Sequence, residues 1–105
     1  MSDDASQLHV PPSFVALHVE PGRLKPRAAR AEIAARYEFC EDLATLLVEQ
    51  ATTTRWQLGI TEADVLERVH RGLAGGGAGV DAAEAAWVVR RLAELAGWEW
   101  RPGPD

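Results

Sequence analysis

"AARAEIAARYEFCEDLATLLVEQATTTRWQL", residues 28–58, decides the fold. Its apolar and small residues Ile33, Tyr37, Cys40, Ala44, Leu47, Ala51, Thr54 and Leu58 follow one another at alternating steps of four and three. That spacing keeps a side chain on one face of a helix turning every 3.6 residues. It predicts one helix over 28–58, roughly 45 Å long at 1.5 Å per residue. Phe39, Leu43 and Leu46 lie beside this seam and widen it beyond a bare coiled-coil stripe. Gly59 follows at once, where a helix C-terminus favours glycine. The β-branched run Thr52–Thr54 is the weak point, because such side chains lose rotamer freedom in a helix. A bend or fraying is expected there.

Two further helices read outward from this one. In "ITEADVLERVHRGL", Thr61 is placed as N-cap, Asp64 as its acidic partner three residues on, and Ile60 and Val65 as a hydrophobic staple. Val65, Leu66, Val69 and Leu73 are the expected buried face of a helix over 62–74. After the glycine-rich stretch, Asp81 and Glu84 form a capping-box pattern. Ala85, Val88, Val89, Leu92, Leu95 and Ala96 mark the apolar face of a helix over 82–96. Gly97 ends it, and Trp98 is placed to fold back on the last turn. Upstream, "SFVALHV" follows Pro11-Pro12. Ser13 fits a cap for a short helix, although the apolar alternation also fits a strand; helix is preferred because no second strand exists to pair with it. The expected fold is all-α: a small three-helix bundle with a long first helix and an N-terminal segment packed on it. Residues 1–12 are expected to form a disordered lead, 13–98 the helical domain and 99–105 a flexible tail.

The composition narrows the function. The chain has 105 residues, one domain's worth, and carries 11 basic and 16 acidic residues for a net charge of −5. An acidic balance argues against non-specific binding to nucleic acid or membrane surfaces. Cys40 is the only cysteine, so neither an internal disulfide nor a cysteine-based zinc site can form. "MSDDASQLHV" lacks the apolar run of a signal peptide, and no stretch approaches the ~18 apolar residues of a membrane span. A cytoplasmic location is expected.

The glycines of "RGLAGGGAGVDAAEAAW", residues 71–87, raise the question of phosphate binding. A nucleotide-binding loop needs a lysine on the phosphates and a hydroxyl for magnesium. Neither lysine, serine nor threonine occurs between 71 and 87, and a helix pattern precedes the loop where such motifs have a strand. "GAGVDAAEAA", 77–86, resembles the Gly-hydrophobic-Gly-x-x-x-Ala core of helix-hairpin-helix DNA-binding motifs. In that family the amides of the turn contact a DNA phosphate. Here Gly72 and Gly75 stand where apolar residues belong, and Asp81 competes for the amides. The preferred reading is a flexible connector between two capped helices.

Other constellations are thin. Glu67-x-x-His70 is one half of a di-iron signature that needs two, with Glu38, Glu41 and Asp42 on the long helix as conceivable partners. A solvated face is the simpler reading, and no metal or cofactor is expected. His9 and His18 have no ligand spacing. Cys40, on the seam, reads as a small buried hydrophobe. One cluster stands out: Arg23, Lys25, Arg27, Arg30 and Arg36 fall within fourteen residues, with Glu32 the only acid among them. The remainder of the chain has 6 basic and 15 acidic residues, a net charge of −9. Basic residues at a helix N-terminus oppose its dipole. The cluster reads either as a solvated loop that contacts the chain's own acidic surface or as a docking segment for an anionic partner, an acidic protein with nucleic acid as the alternative.

"PPSFVALHVEPGRLKPRAARAEIAARYEFCEDLATLLVE", followed by "LGITEADVLERVHRGL", resembles a small proteobacterial family carried under the label "ATPase with chaperone activity". The resemblance runs over roughly residues 11–97. The label implies nucleotide hydrolysis and work beside chaperones. The residues supply no phosphate-binding lysine in a loop and no magnesium-binding carboxylate after a strand. The expectation is a non-enzymatic interaction or adaptor module. It is also expected to be a homodimer: helices of about 13 and 15 residues cover only part of a helix of ~30, which leaves Phe39, Leu43 and Leu46 for a second copy. The alternative is a long helix bent near Thr52–Thr54, its halves folding together within one chain.

Overall fold

The structure, a computed structural model, describes residues 9–19 and 29–101. It is all-α, as expected, with four α-helices and no strand among the described residues. Helix α1 is Pro12–Val15, continued by a 3-10 turn at Ala16–His18; α2 is Arg30–Leu58, α3 Glu62–Ala74 and α4 Ala82–Ala96. Among the described residues no helix is long and apolar enough to cross a membrane. The chain divides into two compact units, residues 1–39 and 40–105, and α2 runs through the division.

In the first unit the short helix forms for a reason other than the expected one. Pro11, not Ser13, is the N-cap, and Pro12 takes the first helical position. Proline suits that position because its missing N–H would find no partner there and its φ is already helical. Backbone N–H groups of Phe14 and Val15 donate to the Pro11 carbonyl at 2.9 and 3.1 Å. Phe14 is fully buried. Its ring lies 5.7 Å from that of Tyr37, edge to face, and 5.5 Å from that of His18. This packs the N-terminal segment on the opening turns of α2, where Ile33 is also buried. Pro12, read as the end of the lead, thus belongs to a helix; residues 1–8 of that lead, 20–28 and 102–105 lie outside the described residues.

α2 begins at Arg30, with Ala29 just outside it, and continues unbroken through Thr52–Thr54. The Thr52 hydroxyl donates to the Val48 carbonyl one turn back at 2.9 Å, and Thr45 does the same to Glu41 at 2.9 Å. Local bonds of this kind satisfy threonine hydroxyls inside a helix without ending it. Gly59 closes the helix in the left-handed region, φ 64°.

In the second unit α4 is the central element. Ala85, Trp87, Val88, Val89, Leu92 and Ala93 are all buried along it. The expected face is thus correct at Ala85, Val88, Val89 and Leu92. It extends to Trp87 and Ala93, whereas Leu95 is 39% exposed and Ala96 half-buried. α3 adds Val65, Leu66 and Leu73, with Val69 half-buried. From α2 come Cys40, Ala44 and Ala51, all buried on the seam; Leu58, at its end, is 53% exposed.

The N-caps fall where the sequence places them, with one arm of the expected box formed at α3 and both at α4. The Asp64 N–H donates to Thr61 Oγ1 at 3.1 Å. At α4 the box is complete: the Glu84 N–H donates to Asp81 Oδ1 at 2.8 Å, and the Asp81 N–H to Glu84 Oε1 at 3.1 Å. Gly97 adopts φ 77°, and the Trp98 N–H donates to the Ala93 carbonyl at 2.8 Å. Asp81→Ala removes one arm of the box and is expected to cost about 1 kcal/mol of unfolding free energy in urea denaturation. Glu84→Gln, which keeps an acceptor, should cost less.

Candidate functional site: an apolar ridge and groove

In the second unit an exposed apolar ridge adjoins a groove. On α2, Leu43, Leu46 and Gln50 follow at three- and four-residue steps and share a face. Leu46 is 74% exposed and Leu43 half-buried. Together they form a ridge. Beside it, between α2 and α3, runs a groove of about 360 Å³, lined by Leu47, Gln50, Ala51 and Thr54 from α2 and by Val65, Arg68, Val69, Gly72 and Leu73 from α3. Small residues line it on both helices, Ala51 on α2 and Gly72 on α3, and neither side chain is large enough to fill it. Arg68 is exposed on its rim. The opposite flank of the ridge carries the exposed acids Asp42 and Glu49.

Of the residues expected to meet a second copy, Leu43 and Leu46 form the ridge. Phe39, in the first unit, is 42% exposed, and the Arg36 guanidinium lies 4.9 Å from its ring centroid, a cation–π contact. Arg36 therefore acts partly as a cover for an aromatic ring. Of the remaining docking segment, Arg30 is exposed at the first turn of α2, while Arg23, Lys25 and Arg27 lie outside the described residues.

The other candidates separate in space or become structural. Glu67 is exposed, and His70 is half-buried with its ring 6.5 Å from that of Trp100. Among the described residues no group of three or more histidines, cysteines or acids is placed to hold a metal ion. Cys40 is buried. His9 is exposed; His18 is half-buried against Phe14. In the glycine loop, Gly76 and Gly79 take φ 93° and 81°, which only glycine adopts at no steric cost. Val80, at its end, is buried. The Asp81–Glu84 box takes up the amides of both residues and places the Asp81 carboxylate at the α4 N-terminus, where it competes with a phosphate.

A polar cluster that the local spacing does not reveal joins α2 to α4. Arg91 Nε lies 2.9 and 3.1 Å from the two Glu41 oxygens, and Nη2 lies 2.9 Å from Oε2. Nη1 also donates to Glu94 at 3.1 Å. The hydrogen bonds that Arg91 donates to Glu41 are the main reason its pKa is raised above the ordinary value; partial burial opposes the shift, and Glu94 adds to it. Glu41, read as a conceivable metal ligand, is instead a partner of arginine. The side chains are 33% and 24% exposed, so solvent screens the pair. Arg91→Lys keeps the charge but loses the planar fork. A double-mutant cycle of Arg91→Ala and Glu41→Ala, followed by urea denaturation, is expected to give a coupling of about 1 kcal/mol.

No family model, curated protein or solved structure matches the chain.

Proposed function

We propose that the protein is a non-enzymatic interaction or adaptor module that acts through the α2 ridge and its groove and associates with a second copy of itself. The observation that carries this reading is Leu46. A leucine 74% exposed in the middle of a 29-residue helix, beside an apolar groove, is a rigid anchor awaiting a partner surface. The basic segment Arg23, Lys25, Arg27, Arg30 and Arg36 supplies a second docking element for an acidic protein, consistent with the charge asymmetry of the chain. A chaperone-associated role follows from the family resemblance.

The test compares wild type with Leu46→Glu in cross-linked capture from the native cell, alongside hydrolysis assays with ATP and magnesium. Partners retained by wild type and lost by the variant support the module. Turnover that co-elutes with the protein, lowered by Lys25→Ala, would overturn the non-enzymatic reading. The rival, nucleic-acid binding by the same basic segment, predicts fluorescence anisotropy with a steep salt slope that is lost on Arg27→Glu or Arg30→Glu.

A further inference from the structure

We infer that the second copy docks on the α2–α3 face in a parallel twofold arrangement, with the Leu46 ridge of each copy in the groove of the other and Arg68 of each opposite Glu49 of the other. This rests on the reading of the chain as a self-associating module and names the surface and geometry.

Self-association through a twofold needs a self-complementary patch. Here the knob and the hole adjoin on one face. At 100° per residue, Glu49 and Ala51 lie roughly 90° to either side of the Leu43–Leu46–Gln50 ridge. The groove and α3 are on the Ala51 side. A twofold axis parallel to α2 turns one copy by half a revolution about the helix direction. The groove side of one copy then faces the acidic side of the other, and each ridge is offset toward the opposing groove. A twofold axis perpendicular to α2 would set ridge against ridge and α3 against α3, leaving both grooves empty. Only the parallel arrangement fills them.

Charge supports the same choice. α3 turns back along α2 after the short connection at Gly59, as the 4.0 Å approach of Arg55 to Glu62 shows. Arg68, on the groove rim, therefore lies near the level of Glu49 along α2. In the parallel pair these opposite charges meet twice, once on each side. Arg71, one turn on and also exposed, carries positive charge toward the end of the flank that holds Asp42. The size is adequate. The 19 residues of α2 from Cys40 on span roughly 28 Å, and two adjacent helices about 20 Å across. With α3 only 13 residues, roughly 20 Å, long, the footprint is roughly 500 Å² before relief is counted, below the ~800 Å² per partner of a standard interface and of a size that suits a reversible dimer.

The experiment is sedimentation equilibrium of the full chain at tens of micromolar, with circular dichroism to check helicity. Wild type is expected at twice the 11.4 kDa chain mass. Leu46→Glu should weaken the dimer roughly hundredfold, because it places a charge in an apolar pocket at the interface centre. Glu49→Arg and Arg68→Glu should each weaken it several-fold, and the two together should restore it. Spin labels at Gln57→Cys in a Cys40→Ala background should lie close together across the twofold; an antiparallel pair would hold them tens of ångströms apart. Wild type at 11.4 kDa would overturn self-association itself. A wild-type dimer indifferent to Leu46→Glu, or one that the double charge reversal fails to rescue, would overturn this face and geometry while leaving self-association standing.

Discussion

Leu92→Ala is expected to lower the free energy of unfolding by about 3 kcal/mol. Leu92 is fully buried, one turn beyond Val88 and Val89, which are equally buried, and beside Ala93. α4 is covered over most of its circumference, so few neighbours are free to move into the space that a lost isobutyl group leaves. The cost is then the transfer of the removed carbons plus the unfilled cavity. A domain of this size has 5–15 kcal/mol in total, and 1 kcal/mol corresponds to roughly 4–8 °C in Tm. A fall of roughly 12–24 °C is expected. Leu95→Ala is the control on the same helix: Leu95 is 39% exposed, and its loss should cost under about 1 kcal/mol. Urea denaturation at one protein concentration, followed by tryptophan fluorescence, separates the two. Equal losses at both positions would show that α4 is not the centre of the core.

The same helix shows what the sequence reveals and where it stops. The bounds of α3 and α4, and the capping of both, were legible because caps are local chemistry: Thr61, Asp81 and Gly97 act within one turn of themselves. The seam of α2 was legible for the same reason, through its spacing. Burial at Trp87, Ala93 and Glu84 was not, because the 3.6-residue pattern marks one face and α4 is enclosed on more than one. Leu95 and Leu58, which fit the pattern, lie in the final turns of α4 and α2 and are 39% and 53% exposed. The Arg91–Glu41 pair spans 50 positions, and no periodicity links residues that far apart. The groove is equally non-local: it is lined by residues of two helices, Leu47 to Thr54 on α2 and Val65 to Leu73 on α3. Leu46, by contrast, was legible as an apolar residue off the seam, and that is the residue on which the functional reading turns. At α1 the position of a helix was legible but its cause was not. Ser13 competes with Pro11 and Pro12, and the fixed φ of proline decides where the turn begins.

Phe14→Ala is expected to release the N-terminal segment, at a cost of about 3 kcal/mol. A four-residue helix has no stability of its own, since nucleation alone is unfavourable and only one or two intrahelical bonds follow it. What holds α1 and its 3-10 continuation is the side chain they bury. Phe14 is 0% exposed and is the one residue of this stretch that is buried outright. Its ring meets Tyr37 at 66° and His18 at 47°, so alanine forfeits both aromatic contacts along with the buried area. Phe14→Leu retains most of the volume and should cost no more than about 1.5 kcal/mol. Hydrogen exchange gives the readout that separates local release from general weakening. In the alanine variant the amides of Phe14 and Val15, bonded to Pro11 in the wild type, should lose protection, while those of α3 and α4 keep theirs. Uniform loss along the chain would mean that Phe14 supports the whole fold. No loss at all would mean that Pro11 and Pro12 hold the turn without it.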